Sequence, residues 1–180
     1  SLGVIIYMFL HSADLTEEVE NAIMCGRNRA FPNHQSEYFY FKQIPYGILF
    51  KEVNNKIVGQ CSVIYRCIRI NETPYRIFGV CDLWVDEEFQ NNGIASELLD
   101  ELFSLSYEKS IDFNILIADR FDLYKKNNFH PFSANAQWLR INNHYNYGVA
   151  SEYINDVMIR SINKIIKEDI INLDFLGEMF

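Results

Sequence analysis

The sequence predicts an α+β fold, and three observations carry the prediction. Two β-branched runs in the first half are separated by asparagine-rich turns, the pattern of an antiparallel meander. An amphipathic stretch after Gly93 then leads into a short apolar run, which reads as a β-α-β passage. Strand-like segments resume at Phe129 and form a final hairpin. No repeat, low-complexity run or Pro/Gly-rich linker divides the 180 residues, so a single domain over 1–180 is expected.

The apolar start, SLGVIIYMFL, reads as the first strand. It lacks a basic flank and is too short to span a bilayer. Ser1 in place of Met reads as a trimmed or tagged start. Thr16 is placed to cap a helix whose apolar residues Val19, Ile23 and Met24 recur at helical spacing. Phe31 to Phe41 is aromatic and irregular, a loop with a short helix. Tyr46 to Val53 is a strand, Asn54-Asn55 a tight turn tolerant of positive φ, and Ile57 to Ile70 the returning strand. Asn71-Glu72-Thr73-Pro74 makes the next turn, and Tyr75 to Val85 the next strand.

A helix over Asn92 to Lys109 presents Ile94, Leu98, Leu99, Leu102, Phe103 and Leu105 as its apolar face. Phe113 to Ala118 is a short buried strand, and Asp119 caps a helix over Arg120 to Asn127. Strand character returns from Phe129, through Trp138 to Ile141 and Tyr153 to Ile162. The tail INLDFLGEMF is apolar enough to pack back on the body.

Hydrophobic residues make up 49% and aromatics 15%, enough for a core and against disorder. The formal net charge of −8 argues against general nucleic-acid or anionic-membrane binding and mildly favours cationic ligands such as amines. Cys25, Cys61, Cys67 and Cys81 form no C-x-x-C pair, and no histidine stands at metal-ligand spacing from them. They read as reduced, mostly buried thiols of a cytoplasmic protein, with no metal site.

The most informative stretch is Leu83 to Ser96: a strand, an acidic turn, then a small-residue loop opening a helix. Backbone N–H groups in the first turn of a helix lack intrahelical partners and, with the helix dipole, attract anions. Gly93 allows positive φ and a close approach by phosphate, and Ala95 and Ser96 are small. Alone, this pattern also describes a helix N-terminus with no ligand. Further along stands Leu123-Tyr124-Lys125-Lys126-Asn127-Asn128-Phe129.

This pair of segments resembles the GCN5-related N-acetyltransferase (GNAT) superfamily. Gln90, Gly93 and Ala95 fill its [R/Q]-x-x-G-x-[G/A] loop. Leu123, Tyr124 and Phe129 fill its L-Y-x-x-x-G-F segment, with Asn128 in place of glycine. The resemblance covers Val53 to Phe132, and both ends only through element order. A looser likeness points to the aminoglycoside 2′-N-acetyltransferase and nodulation-type acyltransferases.

The resemblance implies a mixed, mostly antiparallel sheet of six to seven strands, splayed between the fourth and fifth and flanked by about four helices. It implies acetyl-CoA as co-substrate. Leu83, Trp84 and Val85 would meet the pantetheine arm through their backbone. Gln90, Asn91, Asn92, Gly93, Ile94, Ala95 and Ser96 would hold the pyrophosphate, with Asp119 and Lys125 nearby. Because the loop is neutral, phosphate would be held by backbone N–H groups and side-chain amides, and affinity would depend only modestly on salt.

Tyr124 takes the place of a general acid that protonates the departing thiolate; the other reading is a core aromatic. Asp82 is either the general base or a satisfied polar residue. Cys81, at a common glutamate position, is a less favoured acylated nucleophile. His34, Glu37 and Tyr38 are candidates for an amine-binding wall or for an aromatic cover of the core. The implied activity is acetyl transfer to a primary amine of a small molecule. Alternatives are a protein or peptide amine as acceptor, or a non-catalytic acyl-CoA-binding module, as monomer or homodimer.

Overall fold

In a computed structural model, which describes residues 3–180, the first half of the chain is the meander that the turn residues predict. Strand β1 (Ile5–His11) pairs antiparallel with β2 (Gly47–Val53), and β2 with β3 (Lys56–Ile70). Asn54 and Asn55 close the β2–β3 turn with φ of 51° and 63°, the left-handed geometry a two-residue hairpin requires. Asn71, at φ 50°, turns β3 into β4 (Thr73–Val85), so the strand starts sooner than expected.

The chain divides into two units, Ser1–Val63 with Cys81–Leu102, and Ile64–Val80 with Phe103–Phe180. In the first unit, helix α1 (Glu17–Ala30) begins as the capping residue predicts: the Thr16 hydroxyl accepts from the Val19 N–H at 3.3 Å. Acidic Glu17, Glu18 and Glu20 in its first turn and Arg27 and Arg29 in its last complement the helix dipole. Its core joins Ile23, Phe39, Ile48, Phe50, Ile57 and Trp84.

The segment after α1 contains no helix, contrary to expectation. Side chains there satisfy the backbone instead. Asn28 accepts from the Ser36 N–H and donates to the Ser36 carbonyl, at 2.9 and 2.8 Å. The Ser36 hydroxyl donates to the Tyr40 carbonyl at 2.7 Å.

The second unit holds β5 (Phe113–Ile117), α3 (Asp122–Lys126), β6 (His130–Asn142), β7 (Tyr145–Ser161) and β8 (Asn172–Glu178). The strand order there is β3-β4-β5-β7-β6-β8, and β8 also pairs with β3 through Arg69↔Asp174 and Ile70↔Leu173. The six strands therefore close into a ring. Every one of them feeds its core: Ile68 and Ile70, Ile77, Phe113 and Ile115, Ala134 and Ala136, Val157, Leu173 and Phe175. The described strands number eight, not six to seven, because the apolar tail is itself a strand. The described helices are three α-helices and two 3₁₀ turns.

The β4–β5 ladder is parallel and runs from Ile77↔Phe113 to Val80↔Leu116, where it stops. Strand β4 continues to Val85, beyond the last of these pairs, and β5 ends at Ile117.

Helix α2 (Ile94–Glu108) starts after Gly93, later than the expected Asn92. Ile94, Leu98, Leu99 and Leu102 are buried as expected, but Phe103 is 41% exposed. Ser106 is buried instead, its hydroxyl accepting from Asn114 Nδ2 at 2.8 Å, while Phe103 lies beneath the Arg160 guanidinium.

All four cysteines are free, and the expectation that most are buried fails: Cys25 and Cys67 are exposed and only Cys61 is fully buried. Cys67 shares the open face of β3 with Tyr65 and Arg69, a face that alternates with buried Ile68 and Ile70.

Candidate active site

Strand β4 ends in Leu83, Trp84 and Val85, and a 3₁₀ turn over Glu87–Phe89 leads into the loop that opens α2. Trp84 is buried in the first unit's core, so only its backbone is available to a ligand. Gly93 has φ +78°, and a Cβ there would meet nothing within 4 Å. The glycine is thus required by backbone conformation, and the space beside it is open. The Glu97 N–H bonds the Gly93 carbonyl at 3.0 Å, which sets Gly93 as the helix boundary and leaves the N–H groups of the first turn directed outward. A pyrophosphate fits that arrangement.

The loop's amides bond its own backbone. Gln90 Nε2 donates to the Val85 carbonyl at 3.0 Å, and Asn92 Nδ2 to the Phe89 and Gln90 carbonyls at 3.2 and 3.1 Å. Asn91 takes φ 62°. These side chains shape the loop. Ile94 is buried, whereas Ala95 and Ser96 are half-buried. Lys51, unremarked in the sequence, pairs with Glu97 of the first helical turn at 2.8 Å. Burial pushes its ammonium below the ordinary lysine value.

Asp82 has φ 51°, unusual inside a strand, and its side chain is not free. Arg27 Nε donates to Asp82 Oδ2 at 2.9 Å, and Gln60 Nε2 donates to the Asp82 carbonyl at 2.8 Å. The next residue back, Cys81, has a thiol that burial pushes well above its ordinary value, with the Asp82 carboxylate adding to the effect. A thiol held protonated is a weak nucleophile.

Among the acceptor-side candidates, His34 is exposed and meets Phe41 edge to face at 5.9 Å. Tyr38 stacks on Tyr40 at 5.3 Å, and Glu37 is exposed beside it. Desolvation raises the Tyr40 phenol above its ordinary value, with Tyr38 and Glu20 adding smaller contributions.

In the second unit, Asp119 is exposed and does not cap α3; the helix begins at Asp122 after Phe121, with no side-chain cap. The other end of α3 follows the sequence closely. Asn128 takes φ 65°, its N–H bonds the Lys125 carbonyl at 3.2 Å, and the Phe129 N–H bonds the Tyr124 carbonyl at 3.0 Å. The Tyr124 and Phe129 rings meet edge to face at 5.8 Å. This is a Schellman motif with its hydrophobic contact, and asparagine replaces glycine at the left-handed position. Lys125 lies over the Phe121 ring at 5.7 Å.

A strand that feeds a glycine loop at a helix N-terminus presents backbone N–H groups of the kind that bind anions. Residues 14–132 match the family described as Acetyltransferase (GNAT) domain, and the chain belongs to that family. No curated protein matches the chain in sequence at a significant level.

Solved structures share the fold at low identity. A probable N-acyltransferase from Enterococcus faecalis V583 is 11% identical with a TM-score of 0.61. That match covers 74% of this chain, which spans 34% of the Enterococcus protein. ElaA of Escherichia coli is 13% identical, with a TM-score of 0.60 over 88% of this chain and 100% of its own. The E. coli GNAT family N-acetyltransferase YhbS, solved in complex with CoA, is 12% identical, with a TM-score of 0.63 over 97% of this chain and 92% of its own.

Proposed function

We propose that the chain acts as one N-acetyltransferase unit that moves an acetyl group from acetyl-CoA to a primary amine of a small molecule. The Gly93 loop carries the reading: positive φ, open space beside the glycine and the start of a 15-residue helix converge there. Membership of an acetyltransferase family supports it, as does the fold shared with a CoA-bound relative. The amine, once its ammonium proton has passed to solvent, attacks the thioester carbonyl carbon to form the C–N bond. As the C–S bond breaks, the nitrogen releases a second proton to solvent, and Tyr124 gives a proton to the departing thiolate. A protonated Cys81 thiol argues against an acyl-enzyme intermediate. The enzyme's contribution is then proximity, orientation and a polarised carbonyl. The net charge of −8 suits a cationic amine.

Thermal unfolding with acetyl-CoA tests the reading. A ligand at a hundred times its Kd adds about 2.7 kcal/mol to the native state, a shift of several degrees in Tm. Gly93→Val places a β-branched residue at φ +78°, so it should abolish the shift while the exposed loop leaves the protein folded. A shift that survives in this variant places the phosphates elsewhere; no shift in the wild type at millimolar acetyl-CoA removes the proposal.

A further inference from the structure

Asp82 alone among the β4 residues has positive φ, and it is gripped from two sides. From β3, the fully buried Gln60 donates Nε2 to its carbonyl. Because that partner only accepts, the orientation of the Gln60 amide is determined. From α1, Arg27 donates Nε to its carboxylate at 2.9 Å; Arg27 is 2% exposed and the Asp82 side chain 15%.

The same guanidinium reaches further. Arg27 Nη1 donates to the His34 carbonyl at 2.7 Å and to Asn28 Oδ1 at 3.2 Å. Its Cζ lies 5.0 Å from the centroid of the Phe41 ring and 5.8 Å from that of Phe31. Asn28 in turn brackets Ser36. One buried cation therefore ties the end of β4 to residues 31–41, and Asp82 is its carboxylate partner.

We infer that Asp82 is a positioning residue and not the general base: through Arg27 it fixes the segment carrying His34, Glu37 and Tyr38, and thereby sets which amines are accepted. The catalytic consequence rests on the acyl-transfer reading above; the conformational one does not. The carboxylate is already engaged by Arg27 Nε, and the backbone that carries it is held by Gln60. The geometry is that of an anchor between β4 and α1.

Two substitutions separate the roles. Asp82→Gly accepts the backbone conformation and removes the anchor. Asp82→Asn tolerates the same φ and keeps an oxygen for Arg27, yet cannot act as a base. Hydrogen–deuterium exchange of the free protein reads the Ser36 and Tyr38 amides, which bond Asn28 Oδ1 and Ser36 Oγ. Thiol release from acetyl-CoA, with tyramine as the amine, reads catalysis.

Asp82→Gly should speed exchange at these amides about tenfold or more, the equivalent of one lost charge-assisted hydrogen bond. It should raise KM for tyramine and leave the acetyl-CoA thermal shift unchanged. Asp82→Asn should stay within about threefold of wild type in both assays, since a lost general base would cost about a hundredfold or more. Unchanged exchange in Asp82→Gly overturns the inference, as does a hundredfold fall of kcat in Asp82→Asn with loss of the acid limb of the pH profile. Should the wild type show neither a thermal shift with acetyl-CoA nor thiol release, the acyl-transfer reading fails, and exchange alone still decides whether Asp82 anchors the segment.

Discussion

Tyr124 is a half-buried phenol at the turn that ends α3, its ring edge to face with Phe129 and its carbonyl bonded by the Phe129 N–H. Tyr124→Phe keeps that ring contact and removes only the hydroxyl. If the phenol donates to the leaving thiolate, kcat should fall about a hundredfold, the lower end of what a general acid contributes, with the acetyl-CoA thermal shift intact. Stopped-flow or steady-state thiol release measures it, and a kcat within about twofold of wild type takes Tyr124 out of the mechanism. The turn was legible in the sequence because a left-handed position admits few residues: asparagine at 128 sits where glycine is usual, and the structure gives it φ 65°. Arg27 was not legible as a hub. Its one signal is a charge four residues after Ile23, on the face of α1 that the core covers. Sequence spacing gives that face but not the partners, which lie 55 residues away at Asp82 and seven away at His34.

At the scale of elements, period and turn chemistry located the meander, α2 and β5, because each buries a repeating set of side chains against its neighbours. The tail escaped the same reading. In strand β8 burial alternates, with Leu173 and Phe175 inside and Asn172 and Leu176 out, but an apolar residue on the outer face hides the period, so period-two counting reads only a short apolar run. What makes it a strand is long-range pairing with β6 and β3. Arg66 fastens it, donating to the Glu178 carbonyl at 2.7 Å and pairing with the Glu178 carboxylate. Phe175 then fills the ring with 0% exposure. Phe175→Ala removes a buried aromatic from a core that all six strands share, so it should cost about 3–5 kcal/mol of unfolding free energy. Urea denaturation checks this through the transition midpoint; a loss below about 1 kcal/mol means β8 is an ornament on a ring that stands without it.

Across the whole molecule, the charge balance and the candidate donor site pull in opposite directions. A protein of net charge −8 repels a polyanion such as acetyl-CoA at long range, yet the loop assigned to its pyrophosphate carries no basic side chain among Gln90, Asn91 and Asn92. Lys51 is paired with Glu97 of the first helical turn, and Lys56 with Glu88 and Asp86 of the preceding turn. Binding must then rest on short-range contacts with backbone N–H groups and on the helix dipole, which act within a few ångströms. Ionic strength screens charges separated by more than about 10 Å at 0.1 M and leaves such contacts largely intact. What salt does remove is the global repulsion, so the two effects partly offset. Raising ionic strength from about 0.05 to 0.5 M should change the Kd for acetyl-CoA by less than about threefold, in contrast to the steep weakening expected of a site built on several lysines or arginines. Isothermal titration at the two ionic strengths measures it. A tenfold or greater weakening would show that basic side chains outside the loop, with Lys125 of α3 the first to substitute, carry the phosphates in place of the Gly93 backbone.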